Sequence, residues 1–555
     1  MFRPLAATLA LLAALVLAAP ATAAEEGQID LDKATELQLG AETLADLEKV
    51  VALTESALKK GLDKGQEEFA KQLLAATLYQ HANRLSAAIF EQTPPSPRWP
   101  KVREFALQDL EKAKTHDPKL PDVFLLEAKL QILPGGDEKA AQKAIDEAVK
   151  LLKEADEVQQ LAKALVLRAA MTDDNERRLA DFDAAIKADP ENNEAWQGRA
   201  LVYLEMGESE KAIADLTRLV EKNADNAALV GALAEALTNA KKYDEALKYC
   251  EKVIELAPKS TLGYNLRARI QIMKDDLKAA MKDLDEALKI DDSDLAALLM
   301  RSRLHAAEGN DDQAKADVEK ALRLRPDLPQ AILLRSMIAA QKQRFAEAIA
   351  DIQVLLQTDP TNAEYRLQLA TYYVADKRPR RAIELLTSII DSLGENLSED
   401  DKEVKADSLR ARGDALLSVG KHAEAITDYD LALKLDPEDT GVLNNLAWVL
   451  ATSPDEGVRN ADRSIELGTK ACELTKYERP HILSTLASGY AEKGDWETAI
   501  KWSTKAVELG AKEEDVSEQL QKELESYKEK KPWREKQEIE ENTKPLEAKP
   551  SDLET

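Results

Sequence analysis

Several residue types are scarce in this chain, and each scarcity narrows its class. Two cysteines in 555 residues, Cys250 and Cys472, cannot build a disulfide-stapled scaffold. They read as buried apolar residues with no disulfide between them. Glycine (20) and proline (21) are sparse, as helix interiors demand, and aromatics make up only 5%. Cations are outnumbered: 76 Lys+Arg against 103 Asp+Glu give a net charge of −27. A phosphate backbone calls for a basic stripe, so nucleic acid is not an expected partner. The five histidines (His81, His116, His305, His422 and His481) are scattered without metal-ligand spacing. Neither Gly-x-Ser-x-Gly, His-Glu-x-x-His nor a phosphate-cradling glycine loop occurs. Asp291-Asp292-Ser293-Asp294 lacks the glycine that turns a calcium loop and reads as a solvated linker. No enzymatic activity, metal or cofactor is expected.

The N-terminus has the marks of a secretory signal. Arg3 is its only charge, Leu5 to Ala19 is apolar, and Ala21-Thr22-Ala23 supplies small residues for cleavage after Ala23 or Ala24. About 15 apolar residues fall short of the roughly 20 that span a bilayer, and no later run is longer. The expectation is an exported protein, periplasmic or secreted, with residues 1–24 removed and no transmembrane segment.

From Asn193 the chain repeats every 34 residues, with units starting at Asn193, Ala227, Thr261, Leu295, Pro329 and Ala363, then Ala406 after an insertion. Place 20 is alanine throughout: Ala212, Ala246, Ala280, Ala314, Ala348, Ala382 and Ala425, with Ala499 in a unit from Pro480. Place 8 is small, from Ala200 through Ser302 and Ser336 to Gly413 and Ala487. Pro258, Pro326, Pro360 and Pro437 occupy place 32, where proline stops a helix. Apolar residues at helical spacing (Trp196, Ala200 and Tyr203, then Ala212, Leu216 and Leu219) predict two short antiparallel helices per unit, brought close by the small residues.

This pattern resembles the tetratricopeptide repeat (TPR), in the manner of exported bacterial members. The resemblance implies an all-α, right-handed α-solenoid of about twelve helix pairs with helical caps at both ends. The expected organisation is a cap over 25–66, degenerate units with insertions over 67–192, and regular units over 193–396. An acidic insertion follows at 397–405. Further units cover 406–513 and include an extended linker at 451–463. A capping helix at 514–531 and a disordered charged tail at 532–555 complete the chain. The Pro-rich stretch Thr93 to Pro100 is expected to be an extended loop.

Units compared with one another reveal a paired switch. Place 7 is arginine in Arg199, Arg267, Arg301, Arg335 and Arg412, and place 23 is then aspartate: Asp215, Asp283, Asp317, Asp351 and Asp428. Where place 7 is leucine (Leu233, Leu369, Leu446, Leu486), place 23 is Tyr249, Leu385, Leu467 or Trp502. Such covariation predicts charge-assisted pairs between the two helices of a unit. Leu165 with Asp181 breaks the rule.

The resemblance further implies that places 2, 5, 9, 12 and 13 of the first helices line a concave face. Those places hold Arg269, Met273, Leu299, Arg303, Leu333, Met337, Leu367, Val374 and Trp448, an apolar strip with two basic residues. It suits an amphipathic helix or an extended peptide with an acidic group. The carboxylate clamp of chaperone-binding TPR proteins is missing its Lys/Asn set, and an asparagine ladder at place 6 is represented only by Asn445. The function expected is therefore a non-enzymatic, protein- or peptide-binding scaffold. The alternatives are a self-assembling or tethering component of a cell-envelope complex, or an accessory subunit presenting substrate to an enzyme.

Overall fold

The computed structural model describes residues 23–91, 97–394, 397–510, 514–535 and 541–546. The proposed signal segment lies almost wholly outside them. Among the described residues the ordered chain is α-helical, with 27 α-helices in sequence order and one short 3₁₀ turn at Glu456–Val458. None of these helices is long and apolar enough to cross a membrane. Helices α1 (Ala23–Leu39) and α2 (Leu44–Lys60) precede twelve consecutive helix pairs, and α27 (Glu514–Lys528) follows them. The chain divides into two compact units, 1–270 and 271–555, with the boundary inside α13 (Leu262–Met273).

Within each unit, helices pack mainly on their neighbours in sequence. The small residues explain why. Every place-20 alanine from Ala212 to Ala499 is fully buried, as are Ala200, Ala234, Ser302, Ser336, Ala370 and Ala487 at place 8. Ser302 reinforces the contact by donating its Oγ hydrogen to the Ala314 carbonyl at 2.7 Å. At Gly413 the approach leaves no room for a side chain, because an added Cβ would sit 2.6 Å from the ring of buried Tyr429.

Two local devices start and stop the helices. Several first helices are capped by the side chain of the residue before them. Asn192 accepts from the Ala195 N–H, Asp294 from Ala297 and Asn362 from Tyr365, satisfying donors that a helix N-terminus leaves open. The turn to the second helix places a left-handed residue at place 15 in one unit after another: Gly207, Lys241, Asp275, Gly309, Gln343, Lys377, Gly420 and Gly494. The residue after it closes a six-residue ring, as in Glu208 N–H to Tyr203 O (2.8 Å) and Asn310 N–H to His305 O (2.8 Å), which is the Schellman arrangement. Four of these positions are not glycine, so the stacking of the pair imposes the turn.

Three boundaries differ from the expectation. The acidic stretch 397–405 is not a loop insertion. Ser398 and Asp401 form a capping box, and α21 (Glu399–Ser418) carries the segment as a 20-residue helix, its acids lying at the positive N-terminal end. Trp99 and Pro100 likewise belong to α4 (Trp99–His116), where proline is tolerated in the first turn; residues 92–96 lie outside the described residues. The tail is the third case. Of residues 532–555, Trp533, Arg534, Glu535 and the segment 541–546 are ordered by contacts described below, so charge alone did not leave them unstructured. The long linker is ordered as well: the Asn460 N–H bonds the Leu450 carbonyl, and Ser453 is fully buried.

Candidate functional site

The arginine–aspartate pairs decide which charges are available to a partner. Arg199 meets Asp215 through Nε and Nη2 at 2.8 and 2.7 Å, and Arg301 meets Asp317 at 2.8 Å through both. Arg335–Asp351 and Arg412–Asp428 repeat the fork at 2.7–2.9 Å. Asp283 is buried like its equivalents. Contact with the aspartate pushes the Arg199, Arg301 and Arg412 guanidiniums up from their ordinary value, whereas burial pushes the Asp351 carboxyl up against the pull of Arg335.

Sequence comparison missed two features of this system. The first is a third contact. The Nη1 of Arg199 reaches Asp183 (2.6 Å), that of Arg301 reaches Asp285 (2.8 Å), and that of Arg412 reaches Thr387 Oγ1 (3.0 Å). Each of these partners belongs to the preceding repeat, so one guanidinium ties three helices together. The signal was present as an acid or hydroxyl at place 25 of the preceding repeat. The second is the apparent exception at Leu165. Arg168, one turn further on, supplies the fork to Asp181 at 2.9 and 2.6 Å and reaches Asp146 at 3.0 Å. The rule holds with the arginine displaced along the helix. With their donors committed, these arginines are staples rather than a ladder for anions.

The residues assigned to the inner face divide by exposure. In the second unit, Met273 and Met337 are both 53% exposed and Arg303 is exposed. Leu299, Leu333, Leu367 and Val374 are half-buried. Leu299, Leu333 and Leu367 share place 5 of three consecutive first helices, α15 (Leu295–Ala307), α17 (Pro329–Gln341) and α19 (Ala363–Ala375). Places 5, 9 and 12 lie on one face of a helix, and Arg303 and Met337 share place 9 of consecutive first helices. Arg269, in the first unit, is different. Its Nη2 is bound to Glu235 at 3.0 Å, so its charge is already matched.

Further along the second unit the inner face becomes polar. A cleft of about 480 Å³ is lined by Asn444, Asn445 and Trp448 of α23 (Thr440–Thr452), His481 and Ser484 of α25 (Pro480–Lys493), and Glu523 of α27. Glu523 is fully buried, held by the Ser484 hydroxyl and by Gln519 Nε2 (2.9 Å), and burial pushes its carboxyl up. Asn444 keeps its Oδ1 buried without a hydrogen-bond partner among the described residues. Trp448 lines this cleft, and its Nε1–H donates to Glu535 of the tail at 3.2 Å.

Both cysteines are buried and outside any disulfide, and burial pushes the Cys472 thiol up to about 12, far from a reactive thiolate. Among the described residues no group of three His, Cys, Asp or Glu is placed to hold a metal.

Models of the tetratricopeptide repeat match residues 204–270, 299–363 and 406–439. The chain contains tetratricopeptide repeats. Anaphase-promoting complex subunit 3 of Schizosaccharomyces pombe is 27% identical over 126 residues, which cover 22% of this chain and 19% of that protein. DnaJ homolog subfamily C member 3 of Bos taurus is 32% identical over 117 residues, 21% of this chain and 22% of the relative. The chain thus spans about a fifth of the length of these relatives. Among solved structures, a tetratricopeptide repeat protein from Parabacteroides merdae aligns at 18% identity and a TM-score of 0.36, covering 46% of this chain and 97% of that one. A human IFIT1 dimer aligns at 18% identity and 0.36, covering 78% and 94%.

Proposed function

We propose that this TPR chain is an exported, non-enzymatic scaffold that holds a protein partner against the inner face of its second unit. One observation carries the reading. Met337, 53% exposed, and exposed Arg303 hold place 9 of successive first helices, on the helical face of half-buried Leu299 and Leu333 at place 5, while Met273, also 53% exposed, ends the preceding first helix. An apolar surface rimmed by charge suits a partner segment that is amphipathic, and methionine adapts to differently shaped partners. An acidic group on that segment pairs with Arg303. Export is supported by the apolar Leu5–Ala19 run and the small residues at 21–23.

The test is affinity capture from the exported fraction with the full chain and with Met337→Glu/Arg303→Glu. The substitutions lie on exposed side chains, so the melting curve stays unchanged while specific partners are lost. An identical set of captured proteins refutes the assignment of this face. N-terminal sequencing of the natural protein checks the export reading, with Ala24 or Glu25 as the first residue and an intact Met1 as the contrary result.

A further inference from the structure

The tail of the second unit makes contacts that a solvated charged segment does not make. Trp533 packs against the buried cluster of Ala487, Ala491, Ala499 and Tyr527. Arg534 donates to the Ala451 carbonyl at 3.1 Å and to Glu492 at 2.5 Å. The Glu535 N–H bonds the Thr452 carbonyl at 3.0 Å while its carboxylate accepts from Trp448 Nε1–H. Two repeats earlier, the Asn542 N–H bonds the Lys377 carbonyl at 2.8 Å and its Nδ2 reaches Asp376 at 3.1 Å, with Glu541 paired to Arg380 at 3.2 Å.

These acceptors share an origin. Ala451 and Thr452 are the last residues of α23, Glu492 sits in the last turn of α25, and Asp376 and Lys377 cap the end of α19. First helices therefore point their C-terminal ends, with open carbonyls and negative dipole ends, along one edge of the inner face. The tail answers with backbone N–H groups, a guanidinium and an amide. It also occupies Trp448, the inner-face position at place 9 of its repeat.

We propose that this edge is a track for an extended peptide, and that tail residues 533–535 and 541–546 occupy it as an internal, displaceable ligand. The partner that fits is an extended segment carrying an aromatic residue followed by arginine and a carboxylate, with free backbone N–H groups to meet the helix-end carbonyls. The proposal rests on the scaffold reading but concerns a different strip of the same face. Displaceability follows from the kind of contact. Over 541–546 the hold is polar and sparse: Arg380 is 68% exposed in its pair with Glu541, and such exposed pairs add little, whereas Trp533 and the Arg534–Glu492 pair anchor 533–535 more firmly. Tethering supplies the occupancy instead, because a linked segment sees its site at an effective concentration in the millimolar range.

The probe is a fluorescent synthetic peptide of residues 531–546, added to the full chain and read by anisotropy. In wild type the resident tail competes. In the full chain carrying Arg534→Glu/Asn542→Pro in its own tail, the peptide binds at least about tenfold more tightly. Adding Trp448→Phe to that variant removes the indole donor and weakens binding at least about tenfold, the loss typical of one hydrogen bond to a charged group. Equal binding to wild type and the tail variant, or no binding to the variant, overturns the proposal. Amide exchange in the unsubstituted chain gives an independent readout. Glu535 and Asn542 N–H groups exchange at least about tenfold more slowly than in the free peptide, and equal rates overturn the docking. Failure here leaves partner capture through Met337 and Arg303 unaffected, so the two readings fall separately.

Discussion

Removing the carboxylate from two equivalent Arg–Asp forks is expected to cost different amounts. In Asp428→Ala, Arg412 loses both charged hydrogen bonds and keeps only the Thr387 hydroxyl. Asp428 is 3% exposed and the Arg412 side chain 18%, so the guanidinium is left without a hydrogen-bonded carboxylate in a largely desolvated site, which costs about 3–5 kcal/mol. In Asp317→Ala, Arg301 keeps Asp285 on Nη1 at 2.8 Å, and its side chain is 24% exposed. Only the two lost bonds count there, about 1.5–3 kcal/mol. The Thr387→Asp substitution in the Asp428→Ala background restores a carboxylate to Arg412 and recovers about 1 kcal/mol. A long repeat array need not unfold in one step, so the assay is amide exchange in α16 (Asp311–Leu324) and α22 (His422–Leu435), which reports local opening. If Asp317→Ala loosens its helix as much as Asp428→Ala loosens α22, the third contact from the preceding repeat carries no weight and the staple account is wrong.

Other consequences follow from turns, packing and burial. Gln343 holds a left-handed conformation, so Gln343→Gly stabilises by about 1 kcal/mol while Gly309→Ala costs about 1–2; opposite shifts in melting temperature are the measurement, and shifts of one sign contradict it. Gly413→Ala forces a methyl group against Tyr429 and lowers stability by about 1–3 kcal/mol, whereas a neutral outcome in thermal melting denies the close approach. Glu523 has its folded pKa raised by burial, so the folded state holds the proton more tightly than the unfolded one. Its contribution is therefore largest below the unfolded value near 4.5 and declines as pH rises through the folded value. Relative to the parent, Glu523→Gln gains in melting temperature from about pH 4 to about pH 8; a relative loss over that range reverses the sign.

Much of this molecule was legible in its residues because a repeat writes the same local contact many times. The 34-residue period, the small residues at places 8 and 20 and the Arg–Asp switch each describe neighbours within one helix pair, and side chains 16 positions apart meet as their covariation implies. The left-handed residue at place 15 was hidden at Lys241, Asp275, Gln343 and Lys377, where the closed turn of a stacked pair overrides the preference of the residue. The acidic stretch before Lys405 looked like a loop because the repeat has no place for it. A capping box and a favourable helix dipole made it a longer α21 instead. What only the tertiary structure decided are contacts with no period. Trp448 meets Glu535 across 87 residues and Asp376 meets Asn542 across 166, so nothing in the spacing of either partner announces the other. Composition marked the tail as charged and disordered; the open carbonyls at the ends of α19 and α23 gave its donors somewhere to bind.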